Sequence, residues 1–268
     1  MTWLALLALL GYCLLSWFYF NRISRAEAHA LRFNTLATTT LVIALTCHAT
    51  AITLAFHLHP WHFGASEALS LTALLSIATY FAALPLLPLK GIEPPLTGFA
   101  ALLLGISLLL PTGHQIQTSP GIFSQLHFAT ALLTQPLLIN ATGIAILIKF
   151  SDRQLHSTAR GALTRNLPPV LTLERLLFVT VSGTFLILSI ALVSGMIASR
   201  EASSAVRLLS HKVIFSTLAW GILGTLLLGH HRFGWRGRKA ANWTLTGSAF
   251  LFLGYIGTRL VLEAVLQR

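Results

Sequence analysis

The sequence predicts an all-α integral membrane protein, a polytopic helical bundle of about eight transmembrane helices with both termini outside, on the periplasmic side. Hydrophobic residues make up 55% of the 268 residues and charged residues only 9%, whereas soluble chains carry about 25% charged residues. Apolar runs of roughly 18 or more residues recur, and each can cross a hydrocarbon core of about 30 Å as a helix. Since the longest connection, residues 149–175, is too short for a soluble domain, residues 1–268 are predicted to form a single transmembrane domain.

The charge of the connections predicts the orientation of these spans. The spans are residues 2–20, 36–57, 68–88, 96–112, 126–148, 176–198, 211–229 and 243–264. Of the 18 Lys and Arg residues, 13 lie in four alternating connections: 21–35, 89–95, 149–175 and 230–242. The positive-inside rule places these connections in the cytoplasm of a bacterial inner membrane. The net charge of +11 is therefore interpreted as a topology signal, and no nucleic-acid partner is expected.

The first span resembles a signal peptide in length but differs from one in its charge order. Arg22 and Arg25 follow the apolar run instead of preceding it, so we expect an uncleaved first helix. The two cysteines, Cys13 and Cys47, lie inside predicted spans. They are interpreted as small apolar packing residues, and a redox pair would require neighbouring helices at matching depth.

Four of the eleven histidines are candidates for a ligand role, because an ionisable residue within a membrane is a functional candidate by default. His127 opens the fifth span and His211 opens the seventh, which places both at the predicted outer face. Two neutral imidazoles at equal depth could bind one haem iron from opposite sides. His48 lies within the second span and His230 at the cytoplasmic end of the seventh. For each of the four, the alternative is a hydrogen-bonded structural histidine.

A basic block follows His230 and supports two interpretations. Arg236, Arg238 and Lys239 lie at the cytoplasmic end of a span, where cations contact anionic lipid. Arginine forks also match carboxylates, so the same residues could pair with haem propionates. A zinc site is less favoured, since the chain has neither paired Cys/His spacing nor an H-E-x-x-H motif.

Several motifs together resemble a known family. They are Thr46-Cys47-His48-Ala49, Leu126-His127, Leu173-Glu174-Arg175-Leu176-Leu177-Phe178, His211-Lys212 with Trp220, the block from His230 to Ala240, and Tyr255-Ile256-Gly257-Thr258-Arg259. With these motifs in order over nearly its whole length, the chain resembles the CcsA/ResC/HemX group of cytochrome c assembly proteins. The resemblance is strongest to the short YpjD-like inner-membrane branch of that group.

The resemblance implies haem b as cofactor and histidines as its axial ligands. His127 matches the outer-face histidine of the group, while His48 and His230 resemble its inner pair. The tryptophan-rich segment with a W-D core is absent, and His211 is the proposed substitute for a second outer ligand. The implied function is haem binding and transfer in cytochrome c assembly, without catalysis. Membrane lipid, other assembly proteins and apocytochrome c are the implied partners.

Two other functions stay open from sequence alone. The missing W-D segment favours a regulatory or scaffolding membrane protein that holds no haem and partners a haem-biosynthetic or transport enzyme. A small-solute transporter is less favoured, because we find no convincing repeat with discontinuous helices. An enzymatic role is not expected, since no constellation of acid, base and nucleophile is visible.

Overall fold

The computed structural model describes residues 2–24, 35–58, 63–83, 92–111, 121–155, 169–201 and 211–254. These residues form eight α-helices and contain no strand, which confirms the all-α prediction. In chain order the helices are α1 (Thr2–Ser24), α2 (Thr35–Leu58), α3 (Ala65–Ala83), α4 (Glu93–Leu109), α5 (Ile122–Leu155), α6 (Val170–Glu201), α7 (His211–Phe233) and α8 (Gly237–Phe252).

Eight spans were predicted, and the described residues form eight helices whose bounds differ from those spans. By length and composition, six of the described helices could cross a membrane, namely α1, α2, α3, α5, α6 and α7. α5 has 34 residues and α6 has 32, so both extend well beyond the predicted spans 126–148 and 176–198. α8 begins at Gly237 instead of 243. These helices extend past the predicted spans because charged residues at a membrane surface can remain in a helix.

Consecutive helices run antiparallel, and their ends define two faces of the bundle. Ser66 at the start of α3 donates a hydrogen bond to the Ser107 carbonyl at the end of α4, over 2.8 Å. One face, here named the basic face, carries the cations Lys149, Arg153, Arg175, Arg232, Arg236, Arg238 and Lys239. The other is named the opposite face, and α5 and α7 both begin there. His127 and His211 therefore lie at one face and His230 at the other.

The bundle consists of two halves that meet along one seam. In the first half, α1 packs against α2 and α4, and α3 packs against α4. In the second half, α5 packs most extensively against α6 and also against α8, which in turn contacts α7. The seam is formed mainly by α3 and α5. Since α2 packs against α1 and α3, a residue on α2 is remote from the α6–α7 region.

Polar side chains stabilise this seam. Asn140 of α5 donates from Nδ2 to the Ser76 carbonyl at 3.2 Å and to Thr79 Oγ1 at 3.0 Å, both on α3. Gln135 is buried, and neighbouring Pro136 accepts a bond from the Ser76 hydroxyl without ending α5. Amide groups in hydrocarbon require such internal partners. Asn140 and the Pro136 carbonyl of α5 therefore connect the two halves.

Candidate functional site

The turn between α7 and α8 is built from the basic block. α7 continues to Phe233, and Gly234 then adopts a positive φ of 64°. The Gly234 amide donates to the His230 carbonyl and the Trp235 amide to the Gly229 carbonyl, at 3.1 and 3.2 Å. Glycine in the left-handed region ends a helix in this way without steric penalty. The predicted loop 230–242 is thus a tight turn, with most of its residues inside α7 and α8.

Aromatic and cationic side chains pack around this turn. The Trp235 indole folds back on Gly229, where an added Cβ would lie 2.4 Å from Cδ2 of the ring. Trp243 packs against the same indole with ring centroids 5.3 Å apart, and Lys239 Nζ lies 3.8 Å above it. Such a cation–π contact with tryptophan is favourable. Lys239, predicted to neutralise propionates or lipid, is therefore held by Trp235.

Glu174 fixes the start of α8 from the neighbouring helix α6. Its Oε1 accepts a hydrogen bond from the Gly237 amide at 2.7 Å, and Gly237 has a φ of 56°. A carboxylate at a helix N-terminus satisfies a free amide and interacts favourably with the helix dipole. The Leu173-Glu174-Arg175 motif and the basic block, separated by about 60 residues in sequence, thus form one structural unit.

A groove at the basic face contains His230 and two arginines. It has a volume of about 670 Å³. Its lining residues are Leu171, Glu174, Arg175, Phe178, Val179, Ser182, His230 and Arg236. The His230 ring stacks on Phe178 with centroids 3.5 Å apart. This basic-face groove combines an imidazole, apolar walls and guanidinium groups within the volume range of ordinary ligand pockets.

The cations of the basic block point in different directions. Arg236 lines the basic-face groove, whereas Arg238 Nε lies 3.3 Å from Asp152 Oδ2 on α5. Lys239 lies over the Trp235 indole instead, so Arg236, Arg238 and Lys239 do not form one cluster. Arg175, which sequence reasoning did not select, supplies the second cation of the groove. Its position in the Leu-Glu-Arg motif was the sequence feature that could have indicated this role.

His230 has a defined tautomer. Its Nδ1 lies 2.9 Å from the Trp235 carbonyl oxygen. Since a carbonyl accepts and cannot donate, Nδ1 carries the proton and Nε2 of the neutral ring keeps a lone pair. Within the described part of the chain, Nε2 has no hydrogen-bond partner. The ring is therefore oriented by the backbone and has one nitrogen free to ligate a metal.

His127 has the same arrangement at the opposite face. Its Nδ1 lies 2.7 Å from the Ala191 carbonyl of α6. Gly195, one turn later, makes room for the ring, because an added Cβ would lie 2.8 Å from His127 Nδ1. No described residue forms a hydrogen bond with Nε2. His127 and His230 are thus both fixed through Nδ1, and the sequence alone gave no indication of either carbonyl partner.

Lys212 in the first turn of α7 is close enough to His127 to interact with it electrostatically. His211 is the first residue of α7, but its side chain lies outside the described atoms. Farther along α7, Trp220 donates to Ser189 Oγ at 2.8 Å and stacks on Phe185 with centroids 5.4 Å apart. This aromatic pair lies between the His127 region and the basic-face groove.

His48 differs from the other candidates because both of its ring nitrogens have partners. Nδ1 lies 3.2 Å from the Tyr12 hydroxyl on α1, and Nε2 lies 3.0 Å from Ser70 Oγ on α3. The side chain is fully buried, with 0% exposure. The structure does not bring His48 together with His230, because α2 packs against α1 and α3 and not against α7. A ligand role for His48 would require the loss of one of these hydrogen bonds.

The remaining histidines and the cysteines are less informative. His57 is exposed near the end of α2 and His231 near the end of α7. Five other histidines, namely His29, His59, His62, His114 and His156, lie outside the described residues. Cys13 is exposed and Cys47 half-buried, and both are free. Within the described residues, no group of three or more His, Cys, Asp and Glu is placed to hold a metal ion.

The chain is similar to known proteins over much of its length. The chain matches the model of the cytochrome c assembly protein family over residues 3–266. It is 33% identical over 148 residues to an uncharacterised 28.8 kDa protein encoded in a nifR3-like 5′ region of Azospirillum brasilense, covering 55% of each chain. It is 26% identical over 174 residues to the inner membrane protein YpjD of Escherichia coli K12, covering 64% of each.

These alignments span between about half and two thirds of the length of either relative. No solved structure matches the chain significantly. The family model, in contrast, covers almost every residue, including all of the eight described helices except Thr2. The chain therefore belongs to the cytochrome c assembly protein family.

Proposed function

We propose that the protein is a multi-pass inner-membrane protein that binds haem b and serves cytochrome c assembly or haem transfer without catalysis. Membership of the cytochrome c assembly family supports a role in cytochrome c biogenesis. The similarity to an inner membrane protein supports the location. The basic face is then the cytoplasmic face by the positive-inside rule. Other assembly proteins, apocytochrome c and membrane lipid are the proposed partners.

One observation carries this proposal, namely the shared arrangement of His127 and His230. Each ring donates Nδ1–H to a backbone carbonyl, at 2.7 Å and 2.9 Å. A histidine that ligates a metal typically donates its other N–H in this manner, which fixes the ring and raises its basicity. Both rings thus fit an iron ligand through Nε2. Haem supplies the iron at such a site, and the protein supplies orientation and charge.

The basic-face groove fits the rest of a haem. Arg175 and Arg236 line it, and guanidinium groups form strong paired hydrogen bonds with carboxylates such as propionates. Leu171, Phe178 and Val179 provide apolar walls for a macrocycle. Within the described residues, His230 is the histidine of this groove, so a single protein ligand is proposed there. Arg238 is proposed to act in the fold through Asp152.

The second proposed site lies at the opposite face, where His127 and His211 would hold the haem iron. Phe178, which stacks on His230, and Ala191, which holds His127, are thirteen residues apart on α6. At 1.5 Å per residue, the two sites are separated by about 20 Å along the helix. They therefore lie toward opposite membrane surfaces, which suits the transfer of haem from one side of the membrane to the other.

An absorption spectrum of the purified protein, reconstituted with haem in nanodiscs, tests this proposal. We expect a Soret band, and we expect His230→Ala and His127→Ala each to lose about half of the bound haem because each removes one site. The double variant is expected to bind none. His57→Ala is the control, since that exposed residue lies in neither site.

A protein without a Soret band, before and after reconstitution, would support the scaffolding function instead. His48→Gln is expected to keep the haem content of the native protein, because His48 is proposed to connect α1, α2 and α3. Loss of haem in that variant, in protein that remains folded, would restore His48 to the ligand set.

The two arginines of the basic block are expected to behave differently. Arg236→Ala should weaken haem binding in the basic-face groove by about tenfold or more, since a hydrogen bond to a charged group contributes about 1.5–3 kcal/mol. Arg238→Ala should leave it unchanged, and its exposed pair with Asp152 contributes at most about 1 kcal/mol to stability. Haem titration of both variants in the His127→Ala background isolates the groove. Equal losses would contradict the assignment of Arg236.

A further inference from the structure

The first half of the bundle contains a buried polar connection that the proposed haem sites do not use. Tyr12, His48 and Ser70 come from α1, α2 and α3 and are joined by hydrogen bonds of 3.2 and 3.0 Å. The geometry accommodates the tautomer in which the Tyr12 hydroxyl donates to Nδ1 and Nε2–H donates to Ser70 Oγ. Tyr12 and His48 are completely buried. Burial of an ionisable pair within the membrane costs free energy, so such a pair is a functional candidate.

A cavity at the opposite face reaches this connection. It has a volume of about 200 Å³ and lies among the ends of α1, α2, α3 and α4. Its polar lining includes Ser66, Glu67 and Ser70, with Thr2 at the start of α1. A water molecule occupies about 30 Å³ in the liquid, so the cavity can hold a few waters beside several polar partners. Ser70 is the link, since it both lines the cavity and contacts His48.

We propose that this cavity is a hydrated inlet that exchanges protons between the aqueous phase at the opposite face and the His48–Tyr12 pair. Water in the cavity meets Ser70 Oγ, which passes a proton to or from His48 Nε2. Histidine suits this role, because its two nitrogens can accept and donate in turn. The proposal does not depend on haem, because the inlet lies in the half of the bundle away from α6 and α7.

The electrostatic surroundings of His48 are simple. α1 contributes Tyr12, α2 contributes the adjacent Cys47, and α3 contributes Glu67, one turn before Ser70. Glu67 accepts a hydrogen bond from the Gly64 amide at 2.8 Å, which holds its carboxylate at the cavity. Among the described residues that line the cavity, Glu67 is the charged group. A negative charge at the entrance raises the local concentration of protons.

Cysteine accessibility tests whether the inlet contains water. Ala51 lines the cavity, whereas its neighbour Thr50 is exposed on the outer surface of the bundle at the same depth. We expect Ala51→Cys to react at least about tenfold faster than Thr50→Cys with trimethylammonium-ethyl methanethiosulfonate, which requires a solvated thiolate. Both variants are made without Cys13 and Cys47 and are measured in nanodiscs. Equal rates, or a faster reaction of Thr50→Cys, would overturn the inlet.

Hydrogen exchange tests whether His48 communicates with that water. In ¹⁵N-histidine-labelled protein moved to D₂O, the His48 signal is assigned by its absence in His48→Gln. We expect Ser70→Ala to slow exchange of the His48 N–H by about tenfold, because it removes the hydroxyl that joins the ring to the cavity. Ser70→Thr should keep the native rate, and the N–H of His127 should be unaffected in both. A rate for His48 that does not change in Ser70→Ala would overturn the proposal.

Discussion

Replacing Gly229 by alanine is expected to open the α7–α8 turn and to destabilise the protein by about 3 kcal/mol, the upper end of the usual range for overpacking. The new Cβ would lie 2.4 Å from two ring atoms of Trp235, so the indole must move. That movement removes the support for Lys239 and displaces the carbonyl that holds His230. Thermal unfolding in nanodiscs should show a lower Tm, and haem binding in the basic-face groove should weaken with it.

Gly221→Ala is the matched control for this prediction. It makes the same chemical change on the same helix, where an added Cβ meets no atom within 4 Å. Alanine also has the higher helix propensity, so the Tm of this variant should be unchanged or slightly higher. A similar loss of stability in both variants would show that α7 tolerates no added methyl group, and the role assigned to the Trp235–Gly229 contact would then be wrong.

The sequence predicts this fold well because membrane helices are specified by length and apolar composition. Eight spans were expected; the described residues form eight helices, and six of these are long and apolar enough to cross a membrane. The errors concern helix ends, where the basic block was assigned to a loop of residues 230–242. A lysine or arginine at a membrane surface is compatible with a helix as well as with a loop. The positive φ of Gly234 and Gly237 determines the turn, and two glycines alone do not reveal which conformation they adopt.

The sequence predicted the depth of each candidate histidine in the membrane but not which helices lie beside it. The spans place His127 and His230 at opposite faces, and the structure does the same. The family resemblance grouped His48 with His230, although the packing of α2 against α1 and α3 separates them. Hydrogen-bond partners such as the Ala191 carbonyl are invisible in sequence, because every residue has one. The Leu-Glu-Arg motif was recognisable in the sequence. The hydrogen bond between its Glu174 and the Gly237 amide is seen only in the structure.

Gly195→Ala is expected to weaken haem binding at the opposite face by about 10- to 100-fold, the usual effect of losing an outer-shell partner of a ligating histidine. The added Cβ would lie 2.8 Å from Nδ1 and 2.9 Å from Cε1 of His127. The ring must therefore move away from α6, and its 2.7 Å hydrogen bond to the Ala191 carbonyl would be lost. Haem titration of this variant in the His230→Ala background measures the remaining site alone.

Gly183→Ala provides the comparison, since an added Cβ at that position of α6 meets no atom within 4 Å. Its haem affinity at the opposite face should equal that of the His230→Ala protein. If Gly195→Ala retains the same affinity while the protein remains folded, His127 is not oriented through Nδ1 for ligation. If both glycine variants lose haem, the effect belongs to the packing of α6 as a whole. A loss of haem affinity confined to Gly195→Ala would show that the space beside Gly195 on α6 keeps His127 of α5 in position to bind haem.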